Sequence, residues 1–223
     1  MNASAVKQTF LFDVDNTLLD NDRVTADLRQ HLEEKVGPEG SQRYWKIFEQ
    51  LRGELGYADY LGALQRYRSE NRNDLRILTL SRFLIDYPFA QRLFPRALEV
   101  VKGVQQWGPA VILSDGDVVF QPRKVERSGL FEAAGGNVLI YVHKEQELDD
   151  VARRFPADHY VMVDDKLRLL GAIKQIWGPR VTTVFVRQGH YAFDAKILSK
   201  APPADVSLEK IGDLLDWAKD TLA

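Results

Sequence analysis

The chain has 223 residues, enough to bury a sizeable core and to hold either one large domain or a core with a smaller insert. Its 30 basic and 32 acidic residues nearly cancel, so no global field favours nucleic acid or an anionic membrane, and substrate preference must come from local groups. The absence of cysteine excludes disulfides, thiolate metal sites, iron–sulfur ligation and a cysteine nucleophile.

At the N-terminus MNASAVK runs straight into the apolar stretch TFLFDV, leaving no room for a secretory leader. No apolar run approaches the roughly 18 residues of a membrane span, so a cytoplasmic protein with no membrane partner is expected. The first predicted strand is Thr9–Val14. Residues 18 to about 92 carry several helical patterns and no convincing strand, which is too long for one crossover and reads as an inserted helical cap. Within it Tyr57, Tyr60, Leu61 and Leu64 recur at helical spacing, as do Ile77, Leu80, Leu84 and Tyr87. The insert holds nine of the 23 aromatics and ten Arg against two Lys, a bias that makes a substrate-binding guanidinium worth seeking, with Arg43, Arg66 and Arg23 as first choices. The aromatics at helical spacing fit the insert's own core better than a substrate cage.

A helix face of Leu98, Val101 and Val104 precedes a second strand, Ala110–Leu113. Further apolar runs at Val138–Val142, Tyr160–Val163 and Val181–Val186 predict three more, with a short sixth near Asp205-Val206. Helical stripes follow at Leu169, Leu170, Ile173 and Ile176, and at Ile211, Leu214, Leu215, Ala218 and Leu222. Strands without clean alternation, separated by helices, predict an α/β fold with a doubly wound parallel sheet covered on both faces. The core would comprise residues 1–17 and 93–223, and the cap 18–92.

In such a sheet the carboxyl ends of the strands open onto the ligand crevice. The first predicted strand ends in Asp13-Val14-Asp15-Asn16-Thr17, so two acids at alternate positions reach that rim. Ser114-Asp115-Gly116 follows the second, His143-Lys144 the third and Asp164-Asp165 the fourth. Four strand ends thus deliver acids, a hydroxyl and an amine to one place. Lys124, in the helical stretch PRKVERSGL, competes with Lys144 for the role of site cation, and Lys144 is preferred because it directly follows a strand. His31, His143, His159 and His190 show no metal-ligand spacing.

These segments resemble, in order, the four motifs of the haloacid dehalogenase-like superfamily. FLFDVDNTLLD resembles the DxDxT motif, VILSDG the second, YVHKE the third and VMVDDK the fourth. The resemblance implies that Asp13 is a nucleophile, Asp15 a general acid/base and Lys144 the charge-neutralising lysine. It places Ser114, Asp115, Gly116 and Thr17 around a phosphoryl group. Mg²⁺ would be held by Asp13, the main-chain carbonyl of Asp15 and the pair Asp164 and Asp165, with the direct ligand of that pair left open. Asn16 stands where glycine is frequent in the family, and Lys166 where a small residue is usual.

The chemistry supports these residue types. A carboxylate attacking a phosphate monoester meets anionic repulsion, which a divalent cation and fixed donors relieve. An acid two residues after the nucleophile favours phosphoryl chemistry over dehalogenation, since a halide leaves without a proton. The expected function is therefore Mg²⁺-dependent hydrolysis of a small phosphorylated metabolite. Phosphoryl transfer to a second acceptor is the alternative within the superfamily. A phosphoacceptor receiver would carry its acid pair first, the reverse of the order here, and a catalytically silent binding module would have no use for a full motif set.

Overall fold

The computed structural model describes residues 7–222; Met1–Val6 and Ala223 lie outside the described residues, and with them the expectation of no leader. Six strands form one parallel sheet in the order β3-β2-β1-β4-β5-β6. They are β1 (Gln8–Phe12), β2 (Ala110–Asp115), β3 (Val138–Tyr141), β4 (His159–Asp164), β5 (Val181–Val186) and β6 (Val206–Leu208). The sixth strand, expected near Asp205-Val206, is the outer edge.

The missing alternation has a simple cause: both faces are covered. Phe10, Phe12 and Val14 enter one core with helices α4 (Ala97–Gly103), α5 (Phe120–Arg127) and α10 (Leu214–Leu222), while Leu11 enters a second core with α7 (Leu148–Arg154) and α8 (Leu167–Trp177). The side chains of both faces from Phe10 to Phe12 are thus all apolar. The α8 stripe differs from expectation in one member, since Ile176 is exposed and Trp177 is buried in its place, stacked on Tyr160 with ring centroids 4.3 Å apart.

Helices α1 (Asn21–Leu55), α2 (Tyr60–Glu70) and α3 (Ile77–Asp86) fill the interval between β1 and β2. Helix α1 starts at Asp20, whose carboxylate caps the Arg23 N–H, and breaks at Gly37 (φ 79°), where Pro38 removes a donor. Tyr44, Phe48, Tyr60, Leu64, Tyr67, Ile77, Leu80, Leu84 and Tyr87 are buried, as expected of the insert's own core, and this core is continuous with that of the sheet. Tyr57 lies before α2 rather than on its stripe. Strand β1 sits at the centre, where the chain order reverses, so its carboxyl end and those of β2 and β4 meet beneath the start of α1. No helix among the described residues is long and apolar enough to cross a membrane.

Candidate active site

The β1 ladder continues one step past the strand, the Asp13 N–H donating to Val163 O at 3.0 Å, and this fixes Asp13 beside β4. The chain then turns sharply through Asn16, which has φ 62°. Asparagine tolerates this left-handed conformation, and its Oδ1 accepts the N–H groups of Asn21 and Asp22, which ties the turn to the first residues of α1. A Cβ at Gly189 would lie 2.4 Å from the Asn16 Cβ, so the loop after β5 can close on this turn only as glycine. Thr17, wholly buried, directs its hydroxyl to Asp13 Oδ2 at 3.3 Å.

Lys144 arrives from the end of β3. Its Nζ lies 2.5 Å from Asp13 Oδ1 and 2.7 Å from Asp164 Oδ2, the latter an ion pair that falls short of a directed hydrogen bond. Asp164 Oδ1 accepts the Lys166 N–H, but neither carboxylate oxygen of the buried Asp165 has a hydrogen-bond partner. One oxygen each from Asp13, Asp164 and Asp165 lie within 4.8 Å of one another. The charges explain the titration. Burial alone would raise Asp13, but the Lys144 and Lys166 ammonium groups hold it below the usual carboxylate range. Burial raises both Asp164 and Asp165, and the charges of Lys144 and Lys166 offset it only in part. Burial likewise acts to lower Lys144, yet Asp13, Asp164 and Asp115 hold its pKa above the ordinary value. Three buried carboxylates, one of them without a partner, form an all-oxygen donor set that suits a hard divalent cation.

Ser114, the last residue but one of β2, accepts a hydrogen bond from Gln121 Nε2 at 2.8 Å, an arrangement that leaves its hydroxyl proton free to donate. Gly116 is required by close approach, since a Cβ there would meet the Gln121 Cβ at 2.7 Å. Its N–H, however, donates to Tyr141 O and is not free for a phosphoryl oxygen. Asp115 uses Oδ1 to accept the Lys144 N–H at 2.7 Å, and burial pushes its pKa up to about 6. That carboxylate pins the Lys144 loop, and when ionised it would repel an anion rather than bind one.

Asp15 is held differently from Asp13. Its carboxylate lies apart from the three-acid group, 2.6 Å from the Nζ of Lys124. The two lysines weighed as rivals are thus both buried site residues, Lys144 on Asp13 and Lys124 on Asp15. The missed signal was a helix face: Gln121 and Lys124, at i and i+3, share the buried side of α5 with Phe120 and Val125.

A cavity of about 1210 Å³ lies between this rim and the helical insert. Asp15, Asp115 and Lys166 line its core side, and Arg29, Trp45, Phe48, Arg52, Tyr57 and Tyr60 its insert side. The favoured arginines are elsewhere. Arg43 pairs with Glu70, Arg66 with Glu54 and Arg23 with Asp27, and none of them lines the cavity. Instead the Arg29 guanidinium lies over the Trp45 ring, 4.6 Å from its centroid, and Arg52 donates to the Tyr191 hydroxyl on the loop after β5. On that loop His190 Nδ1 lies 2.6 Å from Asp22, a second clasp between core and insert. Gln188, on the same loop, braces the core beneath it, donating to Thr17 O and accepting the Ile211 N–H.

A family model described as haloacid dehalogenase-like hydrolase matches residues 7–176. A solved haloacid dehalogenase-like hydrolase from Burkholderia xenovorans LB400 is 61% identical, with 98% of this chain and 99% of that one covered at a TM-score of 0.93. The fold is shared with the HAD-hydrolase YfnB from Bacillus subtilis bound to magnesium (19% identity, 95% and 98% covered, TM-score 0.67). It is also shared with L-2-haloacid dehalogenase from Xanthobacter autotrophicus with chloropropionic acid covalently bound (18% identity, 97% and 100% covered, TM-score 0.60). No curated protein matches the chain.

Proposed function

Since the chain belongs to the haloacid dehalogenase-like hydrolases, we propose that it is a Mg²⁺-dependent phosphohydrolase that forms an aspartyl-phosphate on Asp13 and acts on a small phosphorylated metabolite. The observation that carries this reading is the pair of acids after β1. Asp13 is held ionised against Lys144, while Asp15, two residues on, is separately held and lines the cavity. A halide departs without a proton, so a dehalogenase would leave Asp15 without a task.

In the first step an Asp13 oxygen forms a bond to phosphorus as the bond to the leaving oxygen breaks, and Asp15 donates a proton to that oxygen. In the second, Asp15 takes a proton from water as the water oxygen attacks phosphorus and the Asp13–phosphorus bond breaks. Lys144 lowers the charge at Asp13, and the Ser114 hydroxyl donates to a phosphoryl oxygen. Asp13, Asp164 and Asp165 would hold Mg²⁺, with the Asp15 main-chain carbonyl as a further ligand; the ion supplies positive charge to the transferring phosphoryl group. Asp165, with both oxygens unpartnered, is the stronger candidate of the acid pair for direct ligation.

Residues 18–92 act as a cap over a core of 1–17 and 93–223. The cavity wall it contributes combines an aromatic surface with Arg29 and Arg52, which suits a leaving group with an anionic or hydroxyl-rich end. The test is a panel of phosphorylated metabolites and p-nitrophenyl phosphate with Mg²⁺, read as released phosphate, beside 2-chloropropionate read as released chloride. Catalytic phosphate release supports the proposal; chloride release alone overturns it.

A further inference from the structure

A fully buried ammonium loses its hydration and is retained only where fixed acceptors replace the water. Lys124 and Lys144 are both at 0% exposure. Lys144 serves Asp13, whereas Lys124 has no task in the steps above. It stands on α5 among aromatic rings, its Nζ 5.1 Å from the Phe120 centroid, with Phe120 packed in turn on Tyr60 and Phe89. Its two hydrogen bonds run to Asp15 Oδ1 at 2.6 Å and to Asn21 Oδ1 at 3.1 Å.

We infer that Lys124 is a positioning residue: it fixes the rotation of the Asp15 carboxylate for proton transfer to the leaving oxygen, and ties that position to the insert through Asn21. This rests on the phosphohydrolase reading. With Oδ1 engaged by Lys124, Oδ2 has no partner among the described residues and remains for the cavity that Asp15 lines. Asn21 is the first residue of α1, and its Nδ2 reaches the Tyr60 hydroxyl on α2 at 3.4 Å, which in turn meets Thr25 Oγ1 at 3.1 Å. The ammonium therefore joins α5 of the core, the acid after β1 and two helices of the insert. A shift of α1 against the core would pull on Asn21 and so on the group that sets Asp15. Lys124 makes and breaks no covalent bond. While Asp13 bonds to phosphorus and the leaving oxygen takes the electron pair of the broken bond, Lys124 determines whether the Asp15 proton lies where that oxygen can receive it.

The effect should therefore depend on the leaving group. p-Nitrophenolate departs readily without a proton and an alkoxide does not, and kcat/KM reports the step in which the leaving oxygen departs. For Lys124→Met, which keeps the stem and removes the charge, kcat/KM should fall about 100-fold for a simple alkyl phosphate but less than about threefold for p-nitrophenyl phosphate, the scale of lost general-acid help. In an Asp15→Asn background the same change should add nothing further, a non-additivity that marks action through Asp15. If Lys124→Met does not fold, Asn21→Ala removes the second contact from the insert side and should give the same leaving-group dependence at smaller amplitude. Equal losses across the series, no loss at all, or additive losses with Asp15→Asn would overturn the inference. Absence of phosphate release by the wild type from every ester instead overturns the phosphohydrolase reading, and this inference with it.

Discussion

The two walls of the cavity are built on different physics. The core wall is charged: Asp15, Asp115 and Lys166 line it, and behind them Asp13, Lys144, Asp164 and Asp165 are all buried at strand ends, those of β1 and β4 held in register by neighbours on both sides. The insert wall is largely aromatic, with Trp45, Phe48, Tyr57 and Tyr60. Of its cations, Arg29 lies over a ring face, and Arg52 donates to the Tyr191 hydroxyl and lies 3.7 Å from the exposed carboxylate of Glu49, contacts weak enough for a bound anion to compete with. Under the proposed function, the contrast assigns the chemistry to the sheet rim and selection to the helices above it. Each wall can be perturbed without the other.

The largest effect should come from the core. Asp13→Asn keeps the shape but removes the nucleophile, so turnover of every substrate should fall by about four orders of magnitude or more while the circular dichroism spectrum is unchanged. Substantial residual activity would remove Asp13 from the role given to it.

Metal removal tests the same wall by a second readout. Chelation should abolish activity and Mg²⁺ restore it, and Mg²⁺ at a hundredfold excess over its Kd should raise the wild-type Tm by roughly 5–10 °C. Asp165→Asn should lose that shift. Without metal it should also be more stable than the wild type at neutral pH. The Asp165 carboxyl is raised in the folded state, so it opposes folding as pH rises through the carboxylate range, and the amide removes that cost. An unchanged Mg²⁺ shift in the variant would exclude Asp165 as a ligand.

On the insert wall the effects should be smaller and selective. Arg52→Ala should lower kcat/KM for an anionic natural substrate by about ten- to a hundredfold, the scale of one charge-assisted contact, and scarcely touch p-nitrophenyl phosphate. Equal losses for both substrates would mean that Arg52 acts through the clasp to Tyr191 instead. Arg43→Ala and Arg66→Ala, which break exposed pairs with Glu70 and Glu54, should leave both substrates within assay error.

The sheet was legible because each apolar run stops at a polar cluster, and a parallel strand buried on both faces leaves that mark without needing alternation. The rim followed, since strand ends in such a sheet converge: Asp13, Ser114, Lys144 and Asp164 lie where the pattern places them. Three features were hidden for reasons of geometry. The pairing of Gly116 N–H with Tyr141 O depends on the register of β2 and β3, which no residue type announces. The partners of the arginines depend on which helix face meets the cavity, and composition does not tell Arg43 from Arg52. The strand-end rule points to Lys144 alone, and the burial of Lys124 shows only in the face of α5, where a polar pair stands among apolar residues.

The central claim is a covalent phosphate on Asp13, and an acid quench during turnover of p-nitrophenyl phosphate tests it most directly. Peptide mapping of the quenched protein should place phosphate on the peptide containing Asp13 and nowhere else, with more of it trapped in Asp15→Asn, where water is no longer activated. Steady turnover with no phosphorylated peptide, or phosphate on a residue other than Asp13, would contradict the account.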